Sequence, residues 1–158
     1  MAILLHGETS CALCRKVIER GDEAVLFPRF VLNEKDPLYA LSDAACHSSC
    51  VNADSRSQAM LAAADSHSRN TSPGRRTCAA CGGEITDPDD YFLIGYLGDP
   101  SADPLGRFSY THLHTSHIQD WKQAGEFLAV ARTALDAGQW QGDALLKIVR
   151  DIEAGRSP

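Results

Sequence analysis

The stretch THLHTSH, residues 111–117, contains three histidines within six positions. A lone histidine is most often a solvated or hydrogen-bonded side chain, so the rest of the chain must show whether these three share a role. The C-x2-C pair Cys78 and Cys81 lies earlier in the chain, and the segment 82–113 separates it from the H-x2-H pair His114 and His117. Thiolate and imidazole in a set of four are typical zinc ligands. The pattern therefore predicts a zinc site.

The same framework occurs once before in the chain, where Cys11 and Cys14 precede His47 and Cys50 with identical spacing. Residues 7–51 and 74–118 align without insertion or deletion and share 13 of 45 positions, where about 3 are expected by chance from average composition. The identities include the tripeptide DPL at 36–38 and 103–105. A fixed-period similarity of this kind indicates an internal duplication.

The duplication separates candidate ligands from bystanders. It predicts two four-ligand sites and hence two zinc ions per chain: Cys11, Cys14, His47 and Cys50 in the first site, and Cys78, Cys81, His114 and His117 in the second. His112 aligns with Ala45 and is interpreted as a bystander or as a group that contacts a ligand. Cys46 aligns with Leu113 and is interpreted as a small buried side chain.

Local patterns place these ligands on a knuckle and on a helix start. Strand-like runs at 24–31 and 91–97 follow the two C-x2-C pairs. Helices are predicted from His47 to about residue 65, and after His114 to a stop at Gly138. A last helix is predicted at 143–154, with Asp143 as N-cap and Gly155 as the stop.

A knuckle, a hairpin and a helix that bears the last two ligands resemble the treble-clef zinc fold, over residues 7–65 and 74–137. The H-x2-C of the first repeat also resembles the first half of a LIM domain. The resemblance implies an α+β fold: two tandem zinc-stabilised treble-clef-like units and a C-terminal helix. Because the long segment 51–77 separates Cys50 from Cys78, we expect two sequential sites and not the cross-brace of a RING finger.

The sequence divides into four predicted parts: a first module at 1–66, a linker at 67–76, a second module at 77–138, and a C-terminal helix and tail at 139–158. The linker region lacks apolar residues and contains Ser, Asn, Pro and Gly, which favours an exposed segment. Its basic cluster, Arg69, Arg75 and Arg76, is interpreted as solvated charge, with a phosphate or acidic-partner contact as the alternative.

Charge and cysteine usage limit the compartment and the partners. The six cysteines fall in pairs beside histidines, which in a reducing compartment favours metal binding over disulfides. No apolar run approaches the roughly 20 residues of a membrane span, and the N-terminus lacks a secretory pattern, so a cytoplasmic protein is expected. The formal net charge is −6, with −3 in residues 1–67 and −3 in 68–158, which disfavours binding to a phosphate backbone. The excess of arginine over lysine, 11 to 4, weakly indicates a GC-rich bacterial genome.

Four protein ligands leave no open position on zinc, so both sites are predicted to be structural and the protein non-catalytic. Familiar catalytic motifs are absent from the sequence. We therefore expect a protein-interaction module with a protein partner; acidic bacterial immunity or inhibitor proteins, which bind basic toxins, are one such class. One alternative is a nucleic-acid-binding protein whose bases stack on Trp121, Tyr91, Phe92 and Tyr96. Another is an HNH-like nuclease with His112 as general base beside Asp89 or Asp90.

Overall fold

The computed structural model describes residues 2–155, which form two compact units. The first unit comprises the chain up to Val31 together with Asp36–Arg69. The second comprises Leu32–Lys35 and the chain from Asn70 onward. Each unit contains one two-stranded antiparallel sheet and helices. The predicted α+β class, with small treble-clef-like units, is confirmed.

The first unit is built on a short hairpin. Strand β1, Ala24–Leu26, pairs with strand β2, Ala45–His47, and helix α1, Ser48–Ala53, follows directly. Helix α2, Ser57–Thr71, comes next, and its residues as far as Arg69 belong to this unit. The core of this unit is small. Its buried side chains come from the hairpin, from both helices and from the connecting segments: Ile18, Phe27, Phe30, Leu41, Cys46, Val51 and Met60.

The second unit repeats this hairpin and adds two helices. Strand β3, Phe92–Ile94, pairs with strand β4, Thr111–Leu113, and a 3₁₀ helix, Thr115–Asp120, follows where α1 stood in the first unit. Helix α3, Ala124–Asp136, and helix α4, Ala144–Ala154, pack on the hairpin and enlarge the core. Its centre is a group of aromatic rings in edge-on and tilted contact, with centroids 5.4–6.0 Å apart: Phe108, Trp121 and Phe127.

The duplication extends to individual backbone contacts. Val25 pairs with Cys46 in the first sheet, and their equivalents in the second repeat, Phe92 and Leu113, pair in the second sheet. The isolated bridges Ser10–Val17 and Thr77–Glu84 also join equivalent positions of the two repeats. The two sheets therefore have the same strand register, and the predicted duplication is confirmed in three dimensions.

Both predicted strands are shorter than the sequence runs 24–31 and 91–97. In the first repeat Pro28 has no N–H to donate to the ladder. Asp43 and its repeat equivalent Tyr110 adopt left-handed backbone, with φ of 60° and 58°, shortly before β2 and β4 begin. A residue of positive φ redirects the chain, so pairing is confined to three residues on each strand.

The helix predicted from His47 to about residue 65 is divided in two. Asp54 has an extended backbone, with ψ of 134°, and ends α1. Its carboxylate accepts the Arg56 N–H at 2.8 Å and pairs with the Arg56 guanidinium at 3.0 Å. An aspartate that bonds the backbone two residues ahead favours a turn over continued helix. The prediction of one helix is therefore wrong, and α2 starts afresh at Ser57.

The helix predicted after His114 is also divided. Ile118 lies in the 3₁₀ helix, Trp121 is extended with ψ of 107°, and α3 begins only at Ala124. Trp121 is 3% exposed and part of the ring group, so packing of its side chain overrides helical periodicity here. Gly138, with φ of 63°, follows the end of α3 as predicted.

The last helix agrees with its prediction apart from the capping hydrogen bond. Helix α4 ends at Gly155, which adopts the left-handed conformation with φ of 58°. Asp143 occupies the N-cap position, as predicted, but its side chain makes no capping hydrogen bond. Within residues 2–155, no helix has the length and apolar character required to cross a lipid bilayer.

The predicted linker contains regular structure. Residues 67–71 complete α2, and Pro73–Arg75 form a single 3₁₀ turn. Alanines at 59 and 62–64 favour helix, and α2 continues past them through polar residues of mostly lower helix propensity. The first half of the segment is therefore helical, although its composition is that of a linker.

The segment Leu32–Lys35 lies in the first repeat of the sequence but belongs to the second unit. The Asn33 amide donates to the Gln139 carbonyl at 3.1 Å and accepts the Gln141 N–H at 3.0 Å. Leu32 packs against the core of the second unit, and a Cβ at Gly95 would lie 2.9 Å from Leu32 Cδ1. Because glycine has no Cβ, Gly95 leaves space for the Leu32 side chain.

We predict that Asn33→Ala destabilises the second unit by about 1–2 kcal/mol, because it removes both bonds to the Gln139–Gln141 segment. Both tryptophans, Trp121 and Trp140, lie in that unit, so its unfolding is followed by tryptophan fluorescence in a urea titration. Asn52→Ala, at an exposed position of α1, is the matched control and leaves the transition unchanged. An equal midpoint for Asn33→Ala and wild type would contradict the prediction.

Candidate metal centres

The first two candidate ligands of each set lie on a tight knuckle. In the first repeat the Cys11 N–H donates to the Lys16 carbonyl at 2.8 Å, and in the second the Cys78 N–H donates to the Gly83 carbonyl at 2.8 Å. The turn requires positive φ at one position, which Arg15 supplies with φ of 65° and Gly82 with φ of 75°. Both thiols of each knuckle are thereby directed to one side, three residues apart.

The other two candidate ligands follow the second strand of each hairpin. His47 is the last residue of β2 and the N-cap residue of α1, so Cys50 lies in the first turn of that helix. His114 likewise directly precedes the 3₁₀ helix that carries His117. A spacing of three residues in a helical turn puts both side chains on one face. The predicted placement holds for both pairs, although the second helix is of 3₁₀ type.

In the first site the four side chains converge. One donor atom from each of Cys11, Cys14, His47 and Cys50 lies within 4.8 Å of the other three. The His47 Nδ1 atom is 3.4 Å from Cys14 Sγ and 3.9 Å from Cys50 Sγ. The opposite ring nitrogen, Nε2, is 3.3 Å from the Asp22 carboxylate, a contact that the sequence did not predict.

The second site has the same geometry with an imidazole in place of the third thiol. Cys78, Cys81, His114 and His117 also place one donor atom each within 4.8 Å of the others. The His114 Nδ1 atom is 3.6 Å from Cys81 Sγ, and the centroids of the His114 and His117 rings are 4.9 Å apart. Within residues 2–155 the buried Nδ1 of His117 has no hydrogen-bond partner. An imidazole left without a protein partner fits a site that holds an ion.

Backbone donors stabilise one thiolate in each site. The His47 N–H points at Cys11 Sγ at 3.4 Å, and the His114 N–H points at Cys78 Sγ at 3.3 Å. Although burial acts to raise them, hydrogen bonds from backbone N–H groups lower the pKa of Cys11 and of Cys78 to about 6. Thiolate is the form that binds metal, so the lowered pKa of one cysteine in each knuckle favours metal binding.

Two other groups of the first site, Cys50 and His47, have raised pKa values. A hydrogen bond with Cys14, followed by burial and by the nearby Cys11, raises the pKa of Cys50 to about 11. Hydrogen bonds to the Cys11 and Cys14 sulfurs raise the pKa of His47. The Cys50 thiol and the His47 ring therefore both favour their protonated forms beside Cys11. A divalent ion would satisfy all of them at once.

The donor sets fit zinc. Each offers four soft or borderline ligands, Cys3His in the first site and Cys2His2 in the second, in the tetrahedral number that zinc prefers. With a bound Zn²⁺ the first site carries a net charge of about −1 and the second about 0, counting thiolates as −1 and imidazoles as neutral. The chain therefore contains two groups of residues that could each hold a zinc ion.

His112 and Cys46 lie outside both groups, as the alignment of the repeats predicted. Cys46 is fully buried, and burial raises the pKa of its thiol to about 11. His112 is 8% exposed, and its Nδ1 atom contacts the Tyr91 hydroxyl at 2.9 Å. Burial lowers the pKa of His112. Its ring therefore serves as a buried hydrogen-bonding group on β4.

The basic cluster divides into separate contacts. Arg69 pairs with Asp65 one helical turn earlier, at 3.2 Å, with both side chains exposed. Arg76 lies over the Tyr91 ring, 4.5 Å from its centroid, and Arg75 is exposed in the 3₁₀ turn. Exposed ion pairs of this type contribute little to stability. This arrangement favours the interpretation of solvated charge over that of a basic patch.

Asp90 is a second carboxylate whose contacts the sequence analysis did not predict. It accepts the Ser116 N–H at 3.0 Å and the Ser116 hydroxyl at 3.1 Å, and it accepts the Thr115 hydroxyl as well. These hydrogen bonds, that of Thr115 first, lower the pKa of Asp90 to about 2. The signal available in the sequence was the paired acid at equivalent places of the repeats, Asp22-Glu23 and Asp89-Asp90.

Comparison with known proteins gives no relative from which a role could be transferred. No model of a known protein family, no curated protein and no solved structure matches this chain.

We predict that Cys11→Ser and Cys78→Ser each reduce the zinc content from two ions to one, because three ligands hold zinc much more weakly than four. Cys46→Ser, a change to a buried thiol outside the ligand set, retains two ions and is the control. Elemental analysis of purified protein gives the counts. A loss of zinc in Cys46→Ser with none in Cys11→Ser would show that the ligand register is wrong.

We predict that Asp90→Ala lowers the thermal stability of the second unit, because the turn bearing His114 and His117 loses its three acceptor contacts. Tryptophan fluorescence during heating reports this unit. Asp89→Ala removes the neighbouring exposed carboxylate and is expected to be neutral. If both variants melt together with the wild type, the contacts of Asp90 do not stabilise this turn.

Proposed function

We propose that this chain is a non-catalytic protein-binding module whose two units are each held by a structural zinc ion. The observation that carries the proposal is the convergence of four protein donor atoms, within 4.8 Å of one another, at both sites. Four protein ligands complete a tetrahedral zinc shell, which leaves no position for a water or a substrate. The metal then contributes folding free energy to small units and supplies no reaction.

Two grooves of the second unit and the residues of the nuclease alternative lie apart from any arrangement of catalytic groups described above. Two grooves on the second unit have volumes of about 250 and 400 Å³ and are lined by residues of the 100–107 loop and of α3. No candidate metal ligand lines either groove. His112, the one histidine considered as a general base, is buried against Tyr91, and Asp90 is engaged by Thr115 and Ser116. These contacts give structural roles to His112 and Asp90, whereas Asp89, the other acid of the nuclease alternative, is exposed.

Charge and exposed apolar side chains support a protein partner. The net charge is −6 and the sequence pI about 5.4, which suits a basic partner through steering at long range. Large aliphatic side chains are exposed on the first unit: Ile3, Leu5, Val17, Leu26 and Leu61. Exposed apolar side chains mark an interaction site where they form one contiguous patch. A basic toxin neutralised by an acidic immunity protein is one partnership of this chemistry.

The aromatic residues offer little to nucleic acid. Phe92 and Trp121 are 4% and 3% exposed, and Tyr91 is covered by Arg76 and bonded to His112. Tyr96, the fourth aromatic of that alternative, is half-buried beside the Tyr110 ring. Bases stack on exposed aromatic faces within a basic groove. The buried rings and the acidic charge therefore favour a protein partner over nucleic acid.

The test is a pull-down of the tagged, zinc-loaded chain from its native host, with and without nuclease. We expect a basic protein that stays bound after nuclease treatment. In reconstitution with purified components its affinity falls as salt rises from about 0.05 to about 0.5 M. Alanine substitution of the exposed Leu26 or Leu61 tests the aliphatic surface, with the exposed Asn52→Ala as control. Retention of nucleic acid, with loss of all proteins on digestion, would overturn the proposal.

A further inference from the structure

The His47 ring is held on both of its edges. Its Nδ1 atom faces the sulfurs of the first site, at 3.4 Å from Cys14 Sγ and 3.9 Å from Cys50 Sγ. Its Nε2 atom faces the Asp22 carboxylate at 3.3 Å. A carboxylate is an acceptor, so with a metal on Nδ1 the proton of the neutral ring would lie on Nε2, against Asp22.

A dedicated turn delivers Asp22 to this position. The Asp22 N–H donates to the Glu19 carbonyl at 3.1 Å, and the Glu19 N–H donates back to the Asp22 carboxylate at 2.8 Å. Gly21 adopts φ of 100°, which a residue with a side chain rarely does. One carboxylate oxygen, Asp22 Oδ2, accepts the Glu19 N–H and also faces the His47 ring. The backbone turn therefore holds the carboxylate in place independently of His47.

The second repeat has no such arrangement. Pro88 occupies the position equivalent to Gly21, and its ring restricts φ to negative values. Asp89 is the equivalent of Asp22, but in the part of the chain that the structure describes its carboxylate makes no contact with His114. The backbone N–H of Asp89 donates to the Asp87 carboxylate at 2.9 Å. The neighbouring Asp90 instead holds the turn that carries the histidines. The contact with the ring is therefore specific to the first site.

We propose that Asp22 is a positioning residue for the first metal site, where it fixes the tautomer and orientation of His47 and thereby increases zinc affinity. The inference rests on the proposed zinc ion at that site. Carboxylates that hold a ligand histidine from its far nitrogen raise its basicity, and their loss commonly weakens metal affinity about 10- to 100-fold. The second site binds zinc without this contribution.

The test compares zinc transfer to a chromophoric chelator from full-length wild type, Asp22→Ala and Asp89→Ala. We expect Asp22→Ala to weaken one of the two zinc ions at least about 10-fold, and Asp89→Ala to leave both unchanged. Asp22→Asn retains an acceptor and is expected to restore part of the affinity. Long-range ¹H–¹⁵N NMR of the histidine rings supplies a second readout. The His47 Nε2–H signal is protected in the wild type and is lost in Asp22→Ala.

Failure of the inference differs from failure of the proposed function. Wild-type protein without zinc at the first site would overturn the structural-zinc proposal and this inference with it. Two zinc ions in the wild type and equal affinities in Asp22→Ala would overturn the inference alone. A lower melting temperature for Asp22→Ala with unchanged zinc affinity and an unchanged ring signal would assign Asp22 to the turn only, and this result also overturns the inference.

Discussion

The fold of each unit depends on the attachment of the cysteine knuckle to the strand that carries the next ligand. The Ala12 N–H donates to the Ala45 carbonyl at 3.0 Å, and the Ala79 N–H donates to the His112 carbonyl at 2.8 Å. Two residues further along the chain in each repeat, the histidine N–H points at the first knuckle sulfur. In each unit two backbone contacts thus hold the knuckle against a segment that is distant in sequence, and neither contact involves a metal. A metal ion held by the four candidate ligands would link the same two segments through coordination bonds.

The two copies share this junction but differ in what surrounds it. The first unit encloses a small core and places three thiols and one imidazole at its site. The second adds α3 and α4, whose buried faces include Phe127, Ala131, Leu145 and Ile148, and it has only two thiols. A small core stabilises a chain less than a large one, so a bound metal would contribute a larger share of the stability of the first unit. The Asp22 carboxylate that faces the His47 ring belongs to this unit with the smaller core.

Much of the candidate site could be predicted because the repeat shows it twice. Equivalent positions single out the eight cysteines and histidines that converge, and they exclude His112 and Cys46. Helix bounds were harder, because the break at Asp54 depends on a side chain that bonds its own backbone and the break at Trp121 depends on packing. Neither effect alters apolar periodicity. The contacts of Asp22 and Asp90 were missed because exposed acids are common, and only three-dimensional contact distinguishes them.

The position of Leu32–Lys35 has a consequence for the order of folding during synthesis. Cys14 and His47 are separated by 33 residues, whereas Asn33 and Gln141 are separated by 108. Contacts distant in sequence form late, since the intervening chain must first be made and then ordered. A nascent chain can form its first knuckle and hairpin early, while the Asn33 side chain still lacks its partners, Gln139 and Gln141. The loop of the first hairpin reaches its final place only when the residues beyond α3 have emerged from the ribosome.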